Sequence, residues 1–402
     1  MALLNRLQAF LAEAAARVPL LRERLAAAGL EPGNVKSFGD LARVPVMRKA
    51  ELASLQQQCP PFGGLLGVPV GDLERIYVSP GPIYDPQGPA ADYWRWGEAL
   101  AAAGFGAGDI VVNAFSYHLT PAGMMFDSAL RVLGAVVVPT GVGNAELLVR
   151  AMRDVGVTGY VGVPSFLYSL VQKATEAGYR WQKDMKLARA FVTAEKLPEA
   201  LRRTLHDEYG IDVFQGYGTA DSGCLAYECP ARAGLHLARD VHMECVDPDT
   251  GRPLGYGTPG EIVVTVLNPV YPLVRFGTGD LGVMVDEPCP CGYTGPRLQG
   301  VYGRTSEGVK VRGLFVYPSQ LRELAARLQG VSRYQAVVTR DENFKDVLTL
   351  RLEPAPGAGP PDAGAAARLA KECLRLTVSV EIVEPGTIKE EEPVLVDNRK
   401  WD

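Results

Sequence analysis

This 402-residue chain carries little net charge: 41 Lys and Arg face 46 Asp and Glu, leaving −5, and 22% of residues are charged. It lacks the concentrated basic face that holds a polyanion, so no nucleic-acid partner is expected. Long apolar runs are missing too. Between Met1 and Ala27 apolar residues recur at helical spacing but are interrupted by Arg6, Glu13, Arg17, Arg22, Glu23 and Arg24. That pattern suits neither a signal peptide nor a membrane span, so the expectation is a cytoplasmic protein with no membrane partner. Histidine is scarce, with His118, His206, His236 and His242 the only four, and the last three have no serine or cysteine at the spacing of a hydrolase triad motif. Val163-Pro164-Ser165 is not a nucleophile elbow. In that compartment the seven cysteines are expected as reduced thiols or metal ligands rather than disulfides. The sequence has no internal repeat.

What is present is a hydrophobic fraction of 47% over a length greater than one core usually supports, which predicts a large domain and a smaller one. Helical stretches around Leu3 to Ala28 and Phe38 to Leu55 precede short β-branched runs. These runs are Ile110 to Phe115, Ala135 to Pro139, Gly159 to Val163, Ala190 to Val192 and Asp212 to Gln215. Amphipathic segments at Pro121 to Leu133, Ala145 to Val155 and Leu197 to Tyr209 separate them. The alternation predicts an α/β fold of parallel crossovers, with ligands at the carboxyl ends of the strands. After Cys229, shorter strands and Gly/Pro turns predict a β-rich subdomain, with Glu261 to Leu267 and Leu281 to Val285 its clearest runs. Past Gly303-Arg304 a small α+β unit is expected, with strands at Val309 to Val311, Tyr334 to Thr339 and Val347 to Leu352. Its helices are expected at Pro318 to Leu328 and Gly364 to Arg375, with Glu353 to Gly364 a loop.

The segment Phe214-Gln215-Gly216-Tyr217-Gly218-Thr219-Ala220-Asp221 leaves one apolar run with two glycines, an aromatic ring and then a carboxylate. Glycine lets a backbone approach a planar ligand, Tyr217 offers a stacking face, and Asp221 is the hard oxygen donor that Mg2+ takes beside phosphates. An ordinary strand-to-loop exit has the same composition, so the residues alone leave both readings open. Cys229, His236, Cys289 and Cys291 form a four-ligand set for tetrahedral zinc. With every position filled by protein, such a site would be structural; free thiols are the alternative. Cys59, Cys224 and Cys245 read as fillers of apolar space.

Several strings resemble the phenylacetate-CoA ligase family of AMP-forming, adenylate-forming enzymes, and together they cover nearly the whole length. They are Leu25 to Leu30 with Val35 to Val46, Leu133 to Pro139, Val163 to Leu167 and, most specifically, Arg312 to Leu321. The resemblance implies a large N-terminal adenylate-forming domain over 1–303 and a small mobile C-terminal domain over 304–402. It implies ATP or AMP with Mg2+, CoA, and an aromatic or other small carboxylic acid as ligands. Residue by residue, Tyr217 and Gly218 would frame adenine, Asp221 stands where a glutamate approaches Mg2+, and Asp280 would bind the ribose hydroxyls. Arg304 would lie near the nucleotide at a hinge running from Arg304 to Glu307. Glu195 occupies a nucleotide turn; the competing reading has Thr193 capping the next helix with Glu195 in its first turn. Phe115, Tyr117 and His118 are candidates for the acid pocket, although Phe115, Met124, Met125 and Phe126 read equally as core. A homodimer is left open.

Two segments depart from the family. Ile76 to Pro86 occupies the place of a Ser/Thr/Gly-rich loop with a lysine, and only Ser79, Gly81 and Pro86 remain at matching positions. Hydroxyls, backbone N–H groups and a cation hold the β- and γ-phosphates, whereas proline donates no N–H and Asp85 repels phosphate. Pro385 to Val394 is a shortened form of the segment bearing the catalytic lysine, with Lys389 the nearest candidate and Glu390, Glu391 and Glu392 behind it. Two functions follow as alternatives. One is an AMP-forming acid–CoA ligase working through an acyl-adenylate, with Lys389 and Arg304 catalytic. The other is a ligase-like protein that binds AMP, an acyl-adenylate or CoA without cleaving ATP.

Overall fold

Short β-branched and aliphatic runs become the parallel half of a mixed sheet in the computed structural model, which describes residues 2–79, 82–305, 308–312, 314–341 and 346–399. Val136–Pro139, Ile110–Asn113, Gly159–Gly162, Arg189–Val192 and Asp212–Thr219 lie side by side in that order, each pair parallel. Helices Ala122–Val132, Ala145–Val155, Pro164–Glu176 and Glu199–Tyr209 make the crossovers. Their limits follow from local chemistry. The Asn144 side chain accepts from the Glu146 and Leu147 N–H groups at the start of Ala145–Val155, and Gly156, at φ +74, ends it. That helix buries Leu148, Val149 and Met152 against the sheet, each worth about 1.5–3 kcal/mol of transfer free energy.

From Ile110–Asn113 the chain crosses to Val136–Pro139 on one side, then returns to Gly159–Gly162 on the other. This reversal makes a topological switch point, where open α/β sheets leave a crevice beyond the strand carboxyl ends. The sheet continues with Gly223–Glu228, Leu235–Leu237, Arg297–Arg304, Phe276–Val285, Gly260–Val266 and Val241–Val246. The helix expected over Phe38 to Leu55 is divided. A four-residue turn, Phe38–Leu41, is held by a Ser37/Asp40 capping box, Met47–Arg48 pairs in parallel with Phe276 and Gly277, and only Lys49–Gln58 is a longer helix. Pro45 separates the pieces, as proline cannot supply the N–H that a continuous helix needs.

Contacts divide the chain into Met1–Thr278 with Gly282–Val301, and Gly279–Leu281 with Tyr302–Asp402. The smaller unit has a four-stranded sheet in the order Ser379–Ile382, Asp346–Pro354, Val331–Arg340, Leu395–Asp397. Helices Pro318–Ala326 and Ala363–Leu374 bury Leu321, Leu324, Ala366 and Ala370 in its own core with Val338 and Leu350. Among the described residues no helix is long and apolar enough to cross a membrane.

Candidate active site

Asp212–Thr219 is longer than the expected run ending at Gln215, because it changes partner halfway. Residues Asp212 to Gln215 pair in parallel with Arg189–Val192, whereas Gly216 to Thr219 pair antiparallel with Gly223–Glu228, with a register shift between Tyr217 and Gly218. Tyr217 therefore lies within a strand rather than on a loop. Gly216 and Gly218 serve close packing: a Cβ on Gly216 would sit 2.7 Å from Phe191 and 2.9 Å from Trp96, and one on Gly218 would sit 2.6 Å from Trp96. The partner switch is clamped from beneath. Glu228, 4% exposed, accepts the Gln215 backbone N–H at 2.9 Å and its side-chain amide at 2.8 Å. Arg202, itself buried, meets the same carboxylate with two donors, at 2.7 and 3.0 Å, and gives another hydrogen bond to the Val213 carbonyl. Neither residue belongs to a motif, and the sequence offers no signal for this clamp.

Asp221 follows the strand and is buried, its Oδ1 accepting from the Thr219 hydroxyl at 2.5 Å and the Ser222 hydroxyl at 3.0 Å. Its Oδ2 lies 2.9 Å from the ammonium of Lys49, at the start of Lys49–Gln58. Beside this pair is Asp85, on Ile83–Gln87, antiparallel to Arg75–Ser79. Burial, then the neighbouring Asp221 carboxylate, push the Asp85 carboxyl up to about 7, with Ser79 and Lys49 opposing. The Ser79 Oγ bonds the Ile83 carbonyl at 3.5 Å, and although it is near enough to act on Asp85, no donor reaches either carboxylate oxygen in hydrogen-bond geometry. Gly81 lies outside the described residues. Asp221 with its neighbouring carboxylate is a donor set of the kind Mg2+ takes.

At the carboxyl end of Arg189–Val192, the Thr193 hydroxyl donates to the Gly216 carbonyl at 2.8 Å. It does not cap the next helix, which begins at Glu199 behind Pro198. Glu195 is exposed and accepts the Ser165 N–H at 3.4 Å, so the turn after Arg189–Val192 meets the first turn of helix Pro164–Glu176. Phe115, Tyr117 and His118 follow Ile110–Asn113 but part company. Phe115 is buried and stacks on Phe126 at 5.0 Å, Tyr117 is half-buried with Asn113 at 2.8 Å and Asp127 at 3.3 Å, and His118 is exposed. Phe115, Met125 and Phe126 are core residues; Met124 packs at its margin. Burial, then Asp127, raise the Tyr117 phenol, so it stays protonated. The Leu119 carbonyl accepts the Val78 N–H at 2.9 Å, tying this segment to the Arg75–Ser79 hairpin.

On the smaller unit Asp280 accepts from Arg304 at 2.8 Å, and the Thr305 hydroxyl donates to the Gly279 carbonyl at 3.3 Å. Of the expected hinge, Ser306 and Glu307 lie outside the described residues, as does Gly313 of the Arg312 to Leu321 string. Lys389 is exposed, next to Ile388, whose carbonyl accepts from Arg333 at 3.0 Å.

Cys229, His236, Cys289 and Cys291 converge, with all four ligand atoms within 4.8 Å of one another. The Cys229 and Cys289 sulfurs are 3.7 Å apart, and the Cys291 sulfur is 3.6 Å from His236 Nε2. A tetrahedron with Zn–S near 2.3 Å and Zn–N near 2.05 Å has edges of about 3.8 Å between sulfurs and about 3.6 Å between sulfur and nitrogen. These two edges match a zinc tetrahedron, and the four ligand atoms are close enough together to hold one ion. Burial, then Arg297, hold His236 below its ordinary value, favouring the neutral ring that ligates. The Tyr293 ring stacks on it at 4.2 Å, and the tight Cys-Pro-Cys turn closes through the Gly292 N–H onto the Cys289 carbonyl at 2.9 Å.

Residues 92–267 match the AMP-binding enzyme family, and residues 313–399 match the AMP-binding enzyme C-terminal domain. Phenylacetate-coenzyme A ligase of Thermus thermophilus is 31% identical over 87% of this chain and 79% of its own length. The Pseudomonas putida enzyme of the same name is 29% identical over 87% of this chain and 81% of its own length. The fold superposes with a TM-score of 0.86 and 26% identity on an open conformation of 2-hydroxyisobutyryl-CoA ligase in complex with 2-HIB-AMP and CoA, covering 99% of this chain and 91% of that one. A strand that turns out through Tyr217 to a buried acid, on a fold and sequence shared this widely, leads to one conclusion: this chain belongs to the phenylacetate-CoA ligase family of AMP-forming, adenylate-forming enzymes.

Proposed function

We propose that this chain is an AMP-forming acid–CoA ligase that activates an aromatic or other small carboxylic acid. The acid's carboxylate attacks the α-phosphorus of ATP, giving an acyl-adenylate and pyrophosphate; the CoA thiol then attacks the acyl carbon and AMP leaves. The observation that carries the reading is the strand Asp212–Thr219, clamped by Glu228 and Arg202 beneath and followed by the buried carboxylate of Asp221. On the large unit Tyr217 and Gly218 take adenine, Glu195 the nucleotide turn, and Ser79 and Gly81 what remains of the phosphate loop. Asp221 holds Mg2+, which when bound neutralises phosphate charge. Asp280 takes the ribose and Arg304 the nucleotide's vicinity, with Lys389 as the cation of the adenylation step. A carboxylate suits ribose because it accepts from two vicinal hydroxyls at once. Phe115, Tyr117 and His118, which follow Ile110–Asn113 at the switch point, are the residues that take the acid in this reading, Phe115 from the core behind it.

The domains of this reading are 1–303, large and adenylate-forming, and 304–402, small and mobile; the contact division after Val301 supports it. Cys229, His236, Cys289 and Cys291 hold a structural zinc, a reading supported by their tetrahedral spacing. The cytoplasm, where ATP and CoA meet, is the expected location. A homodimer is supported by the sheet edge Val136–Pro139, where Val136 is 59% exposed. Binding of AMP without ATP cleavage, the alternative function, finds no support among relatives that are named ligases. The test is CoA- and acid-dependent release of pyrophosphate across aryl and short acyl acids, with AMP titrated by calorimetry. AMP binding without pyrophosphate release from any acid would sink the ligase reading.

A further inference from the structure

We propose that Asp85 and Asp221 together hold a divalent cation in the nucleotide-free protein, so that a bound metal supplies at the phosphate loop the positive charge that a loop lysine provides elsewhere in the family. The role of that charge rests on the ligase reading; the binding site rests on the burial and the missing donors of Asp85 and on the Asp221–Lys49 pair beside it. Asp85 is 1% exposed, and neither of its oxygens has a hydrogen-bond donor among the described residues. Buried carboxylates ordinarily collect donors or a cation, since an uncompensated charge in the interior is costly. Asp221 beside it gives Oδ1 to two hydroxyls and leaves Oδ2 to an ion pair with Lys49 at 2.9 Å.

With both carboxylates ionised, as metal ligands are, they and one ammonium sum to about −1, the wrong sign for a triphosphate, and one divalent cation reverses it to about +1. Lys49 does not block the exchange, because its side chain is 36% exposed and can turn into solvent when a metal takes Oδ2. Ser79 Oγ, weakly engaged at 3.5 Å, adds a neutral oxygen to the donor set. The carboxylates are positioned before any metal arrives. The Gln56 side chain accepts the Tyr84 N–H at 2.8 Å and donates to the Tyr84 carbonyl at 2.9 Å, fixing the Asp85 strand to the helix that carries Lys49. The same amide donates to the Tyr271 hydroxyl at 2.9 Å.

The test is Mn2+ binding to the full, zinc-replete chain without nucleotide, followed by the electron paramagnetic resonance of free Mn2+. One site is expected in the parent, weakened tenfold or more in Asp85→Asn and in Asp221→Asn, and tightened several-fold in Lys49→Met. Mg2+ should compete for it. Parent-like Mn2+ affinity in Asp85→Asn overturns the proposal, as does a parent chain that binds no Mn2+ at millimolar concentration. Asp85→Asn removes a buried charge and should fold at least as stably by urea denaturation; were it not to fold, the Asp221→Asn and Lys49→Met titrations still decide. AMP calorimetry on the same samples separates the two readings. Loss of AMP binding in the parent counts against the ligase assignment and leaves the Mn2+ result standing, whereas retained AMP binding in Asp85→Asn with Mn2+ lost is the outcome expected here.

Discussion

Replacing Glu228 by alanine should destabilise the large unit and weaken AMP binding together, because one carboxylate does both jobs. It receives four donors, two from Arg202 at 2.7 and 3.0 Å and two from Gln215 at 2.8 and 2.9 Å. With the residue 4% exposed, its removal leaves the buried Arg202 charge only the solvent-exposed Glu199, at 3.2 Å, and breaking a buried pair from one side costs about 3–5 kcal/mol. The Gln215 backbone N–H loses its acceptor as well, adding about 1 kcal/mol. Urea unfolding should show a midpoint lowered accordingly at constant slope, and calorimetry should show AMP affinity reduced about tenfold as Gly216 and Tyr217 lose their footing. The double substitution Arg202→Met/Glu228→Leu should recover most of the stability, since apolar groups of similar volume replace buried ion pairs at little cost, but not the AMP affinity. A Glu228→Ala cost below about 1 kcal/mol would place the pair in the class of weak surface salt bridges and refute the clamp.

Lys389→Ala should lower acid-dependent pyrophosphate release about a hundredfold or more with AMP affinity unchanged, as removal of one electrostatic donor does; an unchanged rate would dismiss this lysine. Purified protein should contain about one zinc per chain, and Cys289→Ser should lose it with a fall in thermal stability; less than about half an equivalent in the parent contradicts the site. The stability–pH profile should carry the imprint of His242, which stacks on Phe38 at 4.1 Å and which burial, then Arg275, push down to about 4. Because the folded value lies below the unfolded one, the neutral ring's stabilisation is complete above about pH 6.5 and is lost as pH falls toward 4, at most about 3 kcal/mol. His242→Phe should flatten that slope between pH 4.5 and 7.5, and an identical slope in both proteins would exclude the assignment.

The parallel half of the fold was legible because its signals are local. Ala145–Val155 falls on its expected limits, since a cap and a terminal glycine mark them. Asp212–Thr219 ran past its expected end because its second half is stabilised by Gly223–Glu228, a partner that no pattern within the strand announces. The glycines at 216 and 218 were legible as close approach, but what approaches is Trp96 and Phe191 from the protein's own core. The cysteine cluster was legible as residue types, and only folding brings His236 of one strand to the turn at Cys289 and Cys291. Lys49, Arg202 and Glu228 left no trace, because each acts on the site from an element whose own sequence is unremarkable. Asp85 was legible as a charge hostile to phosphate, whereas its burial beside Asp221 and Lys49 was not.

The most direct measurement of the central claim is ATP–pyrophosphate exchange, which reports formation of the acyl-adenylate without requiring CoA. Radiolabelled pyrophosphate should enter ATP only when Mg2+ and a suitable carboxylic acid are present, with aryl and short acyl acids compared side by side. Exchange that no acid stimulates, in protein that binds AMP and is fully folded, would contradict it.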